Sequence, residues 1–279
     1  MNFILFATLV VSASAFAPPS WGHHRRGHTT QVQALVSEIN VGSKNVYVFD
    51  GDYSDAVIRT VVETAKSAIE AKGSFSLAIP GGSIVNALSG MSPDAFDMSK
   101  VYIFFCNERI GANKCYKGAL EAFVTKCGIP LDQVYKVPEM EPIEAAAAYG
   151  ALISNCPAVD TSGPIPAVDL MLLGTGDDGH CGSLYPQSEE IKATGQGKVV
   201  LPIDEGDKKS IAVSMDFMNA AKKVLVSAAE PKRATMVKRA LTGDFEEWGC
   251  PSGLVDCDGE TIWFVDTDSF AEYSAAVAA

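Results

Sequence analysis

This chain contains few histidines, and the spacing of its cysteines does not indicate a disulfide framework. Of the four histidines in 279 residues, only His180 lies beyond the first 40 positions. The seven cysteines are scattered, odd in number and without a C-x-x-C pair or zinc-ligand spacing, which argues against a disulfide-stapled fold and a metal site. We therefore expect reduced thiols and chemistry that needs no metal.

Positive charge and long apolar runs are also in short supply. Lys and Arg number 22 against 34 Asp and Glu, for a net charge of -12, and an acidic chain is poorly suited to bind a nucleic-acid backbone. The strongest apolar run, at the N-terminus, spans about a dozen residues and is too short to cross a bilayer. The remaining composition, with 47% hydrophobic residues, is that of an ordinary globular chain without a membrane anchor in its mature form.

The N-terminus has the composition of two successive targeting signals. Residues 1–15 provide the apolar region and small-residue end of a signal peptide. Residues 16–40 contain two arginines, several hydroxyl residues and no acid before Glu38, as plastid transit peptides do. The junction ASAFAP resembles the motif of bipartite presequences in algae with extra plastid envelopes, cleaved before Phe16. We predict a plastid stromal protein, with secretion or endomembrane residence as the alternative.

Residues 41–279 alternate short apolar runs with helix-period segments and show no linker, which predicts one α/β domain. The predicted strands are Asn45–Asp50, Phe75–Pro80, Val101–Cys106, Val168–Gly174, Ser210–Met215, Lys223–Ala228 and Thr261–Asp266. The predicted helices include Asp52–Lys72, Ile84–Leu88, Tyr116–Cys127, Pro142–Ser154 and Lys232–Leu241. Because several strands are apolar throughout, we expect a buried, mostly parallel sheet that binds ligands at the carboxyl ends of its strands.

Two predicted strands end in candidate binding loops. In Pro80-Gly81-Gly82-Ser83 the glycines allow backbone N–H groups to approach an anionic or carbonyl oxygen, although the same sequence also makes ordinary turns. In Asn107-Glu108-Arg109 the arginine is either one partner of a surface ion pair or a bidentate donor to a phosphate.

The stretch DLMLLGTGDDGHCGSLYP, residues 169–186, holds the main candidate for catalysis. His180 follows a predicted strand beside Asp177 and Asp178. Because imidazole titrates near neutral pH, His180 is well placed to act as a general base. The alternative is a loop histidine that only makes structural hydrogen bonds.

Two other interpretations of this stretch are disfavoured. Cys181 follows His180, but adjacent side chains of an extended segment point in opposite directions and no third orienting group is visible, which argues against a Cys/His nucleophile. The segment Gly174–Gly179 matches G-x-G-x-x-G. It lies mid-chain, however, without the acidic residue that closes the next strand of a dinucleotide fold.

Five segments in order resemble one enzyme family. FSLAIPGGSIVNAL, FFCNERIG, DLMLLGTGDDGHCGSLYP, NAAKKVLVSAAEPKRATMVKRAL and IWFVD together resemble 6-phosphogluconolactonases, from about residue 41 to the C-terminus. The most specific element, G-x-G-x-D-G-H-x-x-S-L-F/Y-P, is matched by residues 174–186. The related glucosamine-6-phosphate deaminases usually have F-N-E-P-G after D-G-H, which is absent here. The resemblance implies a modified Rossmann-like three-layer α/β/α sandwich, shared with those deaminases, ribose-5-phosphate isomerase A and CoA transferases.

The resemblance implies hydrolysis of 6-phospho-D-glucono-1,5-lactone to 6-phospho-D-gluconate, the second step of the oxidative pentose phosphate pathway, without metal or cofactor. His180 would activate water, and Asp178 would hold the imidazole or its loop. Backbone N–H groups of Gly81, Gly82 and Ser83 would donate to substrate oxygens. The phosphosugar lactone is the expected partner, and a monomer is the expected state.

The resemblance also implies cations for the 6-phosphate. Arg109 matches the arginine of the family's Asp-Glu-Arg motif. Lys232 and Arg233 lie where the family commonly has one phosphate-contacting lysine, and Arg233 falls in register when counted back from the following helix. Lys208 or Lys209 could replace an arginine that relatives often carry just before the next strand. The sequence leaves open which of these cations contacts phosphate.

Two rival classes remain. A phosphosugar isomerase or deaminase would share the fold but release ammonia or convert the sugar. A non-catalytic phosphosugar sensor should lack a base and carry a DNA-binding module, whereas this chain has His180 and no such extension. The chain also departs from the lactonase pattern at Asn107, where the family has aspartate, so a role of that carboxylate is either lost here or was never essential.

The targeting interpretation predicts that residues 1–40 fused to a fluorescent protein reach the plastid stroma. Phe16→Ala keeps the small-residue cleavage site, so entry into the endomembrane system should persist while plastid import fails. Microscopy of the two fusions in an algal host measures this. Wild-type fusion in the medium would mean ordinary secretion instead.

Overall fold

Apolar strands paired in parallel form the central layer of the fold. The computed structural model describes residues 34–206 and 208–279. Its strands are β1 (Leu35–Val41), β2 (Lys44–Phe49), β3 (Phe75–Ile79), β4 (Val101–Phe105), β5 (Asn107–Arg109), β6 (Leu170–Gly174), β7 (Val200–Glu205), β8 (Lys208–Val213), β9 (Lys223–Ala228) and β10 (Glu260–Asp266). The large sheet has the order β1-β2-β10-β9-β6-β3-β4 and is parallel except at the β1–β2 pair.

Helices cover both faces of this sheet. They are α1 (Ser54–Lys72), α2 (Ser83–Ala87), α3 (Lys114–Ala119), α4 (Thr125–Cys127), α5 (Pro142–Ser154), α6 (Glu189–Lys192), α7 (Met215–Ala220), α8 (Ala234–Thr242) and α9 (Thr267–Val277), with a π-helical turn at Leu120–Val124 joining α3 to α4. None of these helices is both long and apolar enough to cross a membrane.

Strand β6 shows how one apolar strand supplies two cores. Side chains of a strand alternate between the two faces of its sheet. Leu170 and Leu172 accordingly join the core that packs against α1, while Met171 and Leu173 join the core that contains Tyr149 of α5. The predicted three-layer α/β/α sandwich with a mostly parallel sheet is confirmed.

The order of strands places a binding edge at the centre of the sheet. The chain runs outward from β3 to β4, then returns to β6 and continues in the opposite direction through β9 to β10. The switch point therefore lies between β3 and β6. Ligands of open α/β sheets bind beyond the carboxyl ends of the strands at such a point.

Part of the predicted sheet belongs to a second, three-stranded sheet. Ser210–Met215 was expected to be a strand of the parallel sheet, but β8 pairs antiparallel with β5 and β7 in a three-stranded sheet, and Met215 begins α7. Asn107–Arg109 was expected to be a loop and is β5. The two errors have one cause, because an apolar run indicates burial but does not identify the strand that it pairs with.

The N-terminal boundary of the fold lies earlier than position 41. Strand β1 begins at Leu35, inside the segment 16–40 assigned to a transit peptide, and pairs with β2 along its length. Residues 1–33, including the predicted signal peptide 1–15, lie outside the described residues, so the cleavage site stays a prediction. A mature chain that keeps β1 has to be cleaved before Leu35.

A buried carboxylate ties together the amino ends of β3 and β6. Asp169 is 4% exposed, and its Oδ2 accepts hydrogen bonds from the backbone N–H and hydroxyl of Ser76, both at 2.8 Å. Lys72 Nζ lies 2.8 Å from the same oxygen, and Lys222 Nζ lies 3.7 Å from Oδ1. The charge is therefore both paired and hydrogen-bonded, as burial requires.

We predict that Asp169→Ala lowers the free energy of unfolding by about 3 kcal/mol, because it leaves buried donors and Lys72 without their acceptor. Urea denaturation followed by circular dichroism measures this. Asp160→Ala is the comparison: the partly exposed Asp160 lies 3.2 Å from Nζ of the same Lys222 and accepts two hydrogen bonds from Ser162, and because water can replace these contacts its loss should cost less than that of Asp169. Equal losses in the two variants would contradict the prediction.

Candidate active site

A cavity of about 680 Å³ opens at the carboxyl edge of the parallel sheet. Its walls are the segments that follow β2, β3, β6, β9 and β10, together with Asn107 at the start of β5. This volume is that of a typical small-molecule site. The predicted turn at Gly81-Gly82-Ser83 and the predicted base His180 both line it.

His180 and Asp178 form the hydrogen-bonded pair that the sequence predicts. His180 Nδ1 lies 2.7 Å from Asp178 Oδ1, and the same oxygen accepts the His180 backbone N–H at 3.0 Å. With Nδ1–H donated to the carboxylate, the basic nitrogen of a neutral imidazole is Nε2. The His180 side chain is 33% exposed and lines the cavity, so the imidazole is within reach of a water molecule or a substrate.

Backbone contacts fold the loop tightly around this pair. The Gly176 N–H donates to the His180 carbonyl at 2.9 Å, and Thr175 and Cys181 form an isolated bridge. A Cβ at Gly176 would lie 2.2 Å from His180 Nδ1 and 2.5 Å from Asp178 Oδ1. Only glycine leaves room there for the hydrogen bond between the two side chains.

An aromatic ring that sequence reasoning missed also positions the imidazole. The rings of His180 and Tyr185 are 4.5 Å apart between centroids, at an interplanar angle of 37°. Tyr185 belongs to the same loop and lines the cavity. In the sequence, the aromatic residue of the S-L-Y-P segment is the feature that could have identified Tyr185 as a site residue. Together with Asp178, the ring restricts the rotation of the imidazole.

The cysteine next to His180 is not available for attack. Cys181 is 0% exposed, and burial raises the pKa of its thiol far above neutrality. A protonated, buried thiol is a poor nucleophile. Among the described residues, no group of three His, Cys, Asp or Glu side chains is arranged to hold a metal ion.

The predicted glycine turn follows β3 and enters α2. Gly82 has φ +87° and ψ -156°, a conformation that is almost confined to glycine. Gly81 and Ser83 also line the cavity. The turn therefore places backbone at the cavity wall, and its role as a donor to substrate oxygens stays a prediction.

Of the predicted cations, Arg233 is the one that lines the cavity. Its Nε–H donates to the Thr175 carbonyl and Nη1 donates to the Ala229 carbonyl, both at 2.8 Å. These bonds fix the guanidinium between the ends of β6 and β9. Lys232 lies beside the cavity wall, with Nζ 2.7 Å from Oε2 of the cavity-lining Glu230.

The other predicted cations lie away from the described cavity wall. Arg109 is exposed on β5, while the buried Glu108 accepts the backbone N–H groups of Arg109, Cys115 and Tyr116 at 2.9 to 3.2 Å. Glu108 thus caps the start of α3. Asn107 is the member of this triplet that lines the cavity.

Lys208 and Lys209 belong to β8, and neither contributes to the cavity wall. Lys209 Nζ pairs with Glu141. Contact with phosphate stays a prediction for these two lysines and for Arg233 alike, but of the three only Arg233 lines the cavity.

Two polar groups of the wall have no counterpart in the sequence predictions. Tyr53 lines the cavity at the start of α1, and burial raises the pKa of its phenol well above the usual value, so it is a neutral donor. Ser183 accepts a hydrogen bond from Asn107 Nδ2 at 2.9 Å. Both groups can bind the hydroxyls of a sugar-like ligand.

Known proteins resemble this chain along most of its length. The family model for glucosamine-6-phosphate isomerases/6-phosphogluconolactonase matches residues 50–263. The 6-phosphogluconolactonase of Homo sapiens is 29% identical over 241 residues, which cover 81% of this chain and 91% of that protein. The Arabidopsis thaliana protein named 6-phosphogluconolactonase 3, chloroplastic, is 30% identical over 214 residues, which cover 70% of this chain and 64% of that protein.

The fold is likewise that of a solved relative. The solved structure of 6-phosphogluconolactonase from Trypanosoma brucei matches with a TM-score of 0.68 at 23% identity, covering 80% of this chain and 96% of that one. The family model spans the strands and loops that form the cavity, from the end of β2 into β10. The chain therefore belongs to the family of glucosamine-6-phosphate isomerases and 6-phosphogluconolactonases.

Proposed function

We propose that this protein is a 6-phosphogluconolactonase, which hydrolyses 6-phospho-D-glucono-1,5-lactone to 6-phospho-D-gluconate in the oxidative pentose phosphate pathway. The observation that carries the proposal is the His180–Asp178 pair at the wall of a cavity that also holds a glycine turn and a fixed arginine. Curated relatives that bear this name support it. A lactone is an activated ester, so a base and oxyanion donors suffice for its hydrolysis.

The proposed reaction begins with proton transfer from water to His180 Nε2. The water oxygen attacks the lactone carbonyl carbon and forms a tetrahedral oxyanion, which backbone N–H groups of the Gly81-Gly82-Ser83 turn stabilise. The bond from that carbon to the ring oxygen then breaks, and the imidazolium returns the proton to the departing oxygen. Asp178 stabilises the imidazolium and keeps Nε2 as the reacting nitrogen.

We propose Arg233 as the principal phosphate contact. Within the described chain, its hydrogen bonds engage Nε and Nη1, so both Nη2 hydrogens remain for phosphate oxygens. Lys232 adds a second charge at the rim. Contact of Arg109 with phosphate stays a prediction from the sequence, because this exposed residue is not part of the described cavity wall.

A plastid location is part of the proposal. The acid-poor, arginine-bearing segment before Glu38 supports it, as does a relative whose name includes "chloroplastic". The type of presequence, signal peptide followed by transit peptide, is proposed on residue composition alone.

The direct test is to assay the purified protein on freshly generated lactone, with spontaneous hydrolysis as the background. The product acid, measured by its enzymatic oxidation coupled to the reduction of NADP+ to NADPH, should accumulate well above that background. Glucosamine 6-phosphate is the counter-substrate. Ammonia release from it, without lactone hydrolysis, would assign the protein to the deaminase branch of the family instead.

We predict that His180→Ala lowers kcat on the phosphorylated lactone by about 10² to 10⁴-fold, because the general base is lost. Cys181→Ala is the matched control at the next residue. It removes the only adjacent nucleophile from a buried position and should leave kcat within about twofold. Circular dichroism checks that both variants fold. Retention of more than about a tenth of kcat by His180→Ala would show that another group is the base.

We predict that Arg233→Ala raises KM for the phosphorylated lactone by about tenfold or more while barely changing KM for gluconolactone, which has no phosphate to lose. Steady-state assays on the two substrates measure the ratio. Arg109→Ala, tested in parallel, should give a smaller ratio because Arg109 lies outside the described cavity wall. If Arg109→Ala has the larger ratio, the assignment of Arg233 is wrong.

A further inference from the structure

Glu230 combines two properties that rarely occur together. It is a charged residue at the wall of the cavity, and its backbone has φ +80° and ψ 144°. That combination is almost confined to glycine, because a Cβ clashes with the neighbouring backbone. A strained residue persists only where its surroundings impose the conformation, and such residues cluster at functional sites.

The surroundings that impose this conformation can be identified. The Glu230 N–H donates to Asp266 Oδ2 at 2.8 Å, and the Glu230 carbonyl accepts the Arg233 N–H at 3.0 Å. Asp266 is itself anchored, since its Oδ1 accepts the Ser269 N–H at 2.7 Å at the start of α9. The strained peptide is therefore clamped between the ends of β9 and β10.

This clamp presents the carboxylate to the proposed phosphate-binding cations. Glu230 Oε2 lies 2.7 Å from Lys232 Nζ and 3.7 Å from Arg233 Nη1. The hydrogen bond from Lys232 lowers the pKa of the Glu230 carboxyl, so it is ionised at neutral pH. One anionic oxygen thus already faces both cations.

We propose that the Glu230 carboxylate is an internal competitor of the substrate phosphate: it pairs with Lys232 and lies near the Arg233 guanidinium, and a phosphate has to displace its charge from these cations in order to bind. The inference rests on the proposed function, because it takes these two residues as the phosphate site. Singly charged ligands such as carboxylates or chloride gain too little from the cations to displace Glu230. A phosphate dianion, with more charge and three terminal oxygens, can do so. Glu230 therefore sets the selectivity of the site for phosphorylated ligands.

The opposite role predicts the opposite result. If Glu230 instead positioned the cations for phosphate, loss of its charge would weaken phosphate binding. If it competes, loss of its charge strengthens binding. The sign of the change separates the two roles, and no structure of the complex is needed.

The test is titration calorimetry of the full protein with inorganic phosphate. We expect Glu230→Gln, which keeps the size of the side chain, to lower Kd by about threefold, the range of an exposed ion pair. Glu230→Gly removes the carboxylate and the strained backbone together. It should tighten phosphate binding similarly and raise Tm by about 2 °C or more. Unchanged or weaker phosphate binding in both variants would overturn the proposal.

Glu189→Gln is the matched control for net charge. Glu189 also pairs with a lysine, Lys192 at 3.1 Å, but lies outside the cavity wall, so the Kd for phosphate should stay at the wild-type value. If the control lowered the Kd for phosphate equally, the change would be explained by net charge alone, and the proposal would be overturned.

Enzyme assays then separate this inference from the proposed function. In Glu230→Gln, KM for the phosphorylated lactone should fall while KM for gluconolactone stays constant. If no variant hydrolyses the lactone but phosphate binding still tightens, the competitor role stands and the lactonase proposal fails. If hydrolysis is robust and phosphate binding does not tighten, only the competitor role fails.

Discussion

Burial of β6 on both faces is the constraint from which the position of the site follows. Leu170 to Leu173 alternate between two apolar cores, so a polar side chain within this run would be buried without a partner. Polar groups can appear only once the strand ends at Gly174. The strands on either side, β3 and β9, run parallel to β6 and end at the same edge, which brings the glycine turn and Arg233 to the loop of His180.

Much of the fold could be predicted from the sequence because the parallel strands are mainly apolar. The runs that predict β2, β3, β4, β6, β9 and β10 each lie in the large sheet. The small sheet was missed because its β5 contains only Asn107 to Arg109 and pairs with residues about one hundred positions away. Strand β1 was missed because its residues have the composition of a leader, and only pairing with β2 distinguishes them.

Site features that depend on side-chain type could be predicted from the sequence. Features that depend on backbone conformation could not. His180 is found from its residue type and its position after a strand, Asp178 is assigned by the family resemblance, and the structure joins them by a hydrogen bond. That Arg233 lines the cavity follows from the turn before α8, which directs its guanidinium toward the Thr175 carbonyl. The sequence Ala-Glu-Pro does not indicate that Glu230 has a positive φ. Contacts with the ends of the neighbouring strands impose this conformation.

Because every cysteine is buried in the folded chain, the redox state of the thiols depends on when the chain folds. All seven thiols are unpaired and buried in the native chain, and this burial protects them from oxidants in solution. An unfolded chain exposes all seven at once. In an oxidising lumen these thiols could be joined in pairs that the native core does not contain. A route through such a lumen therefore favours a chain that stays reduced until it folds, and the folded enzyme then needs no reductant to keep its thiols intact.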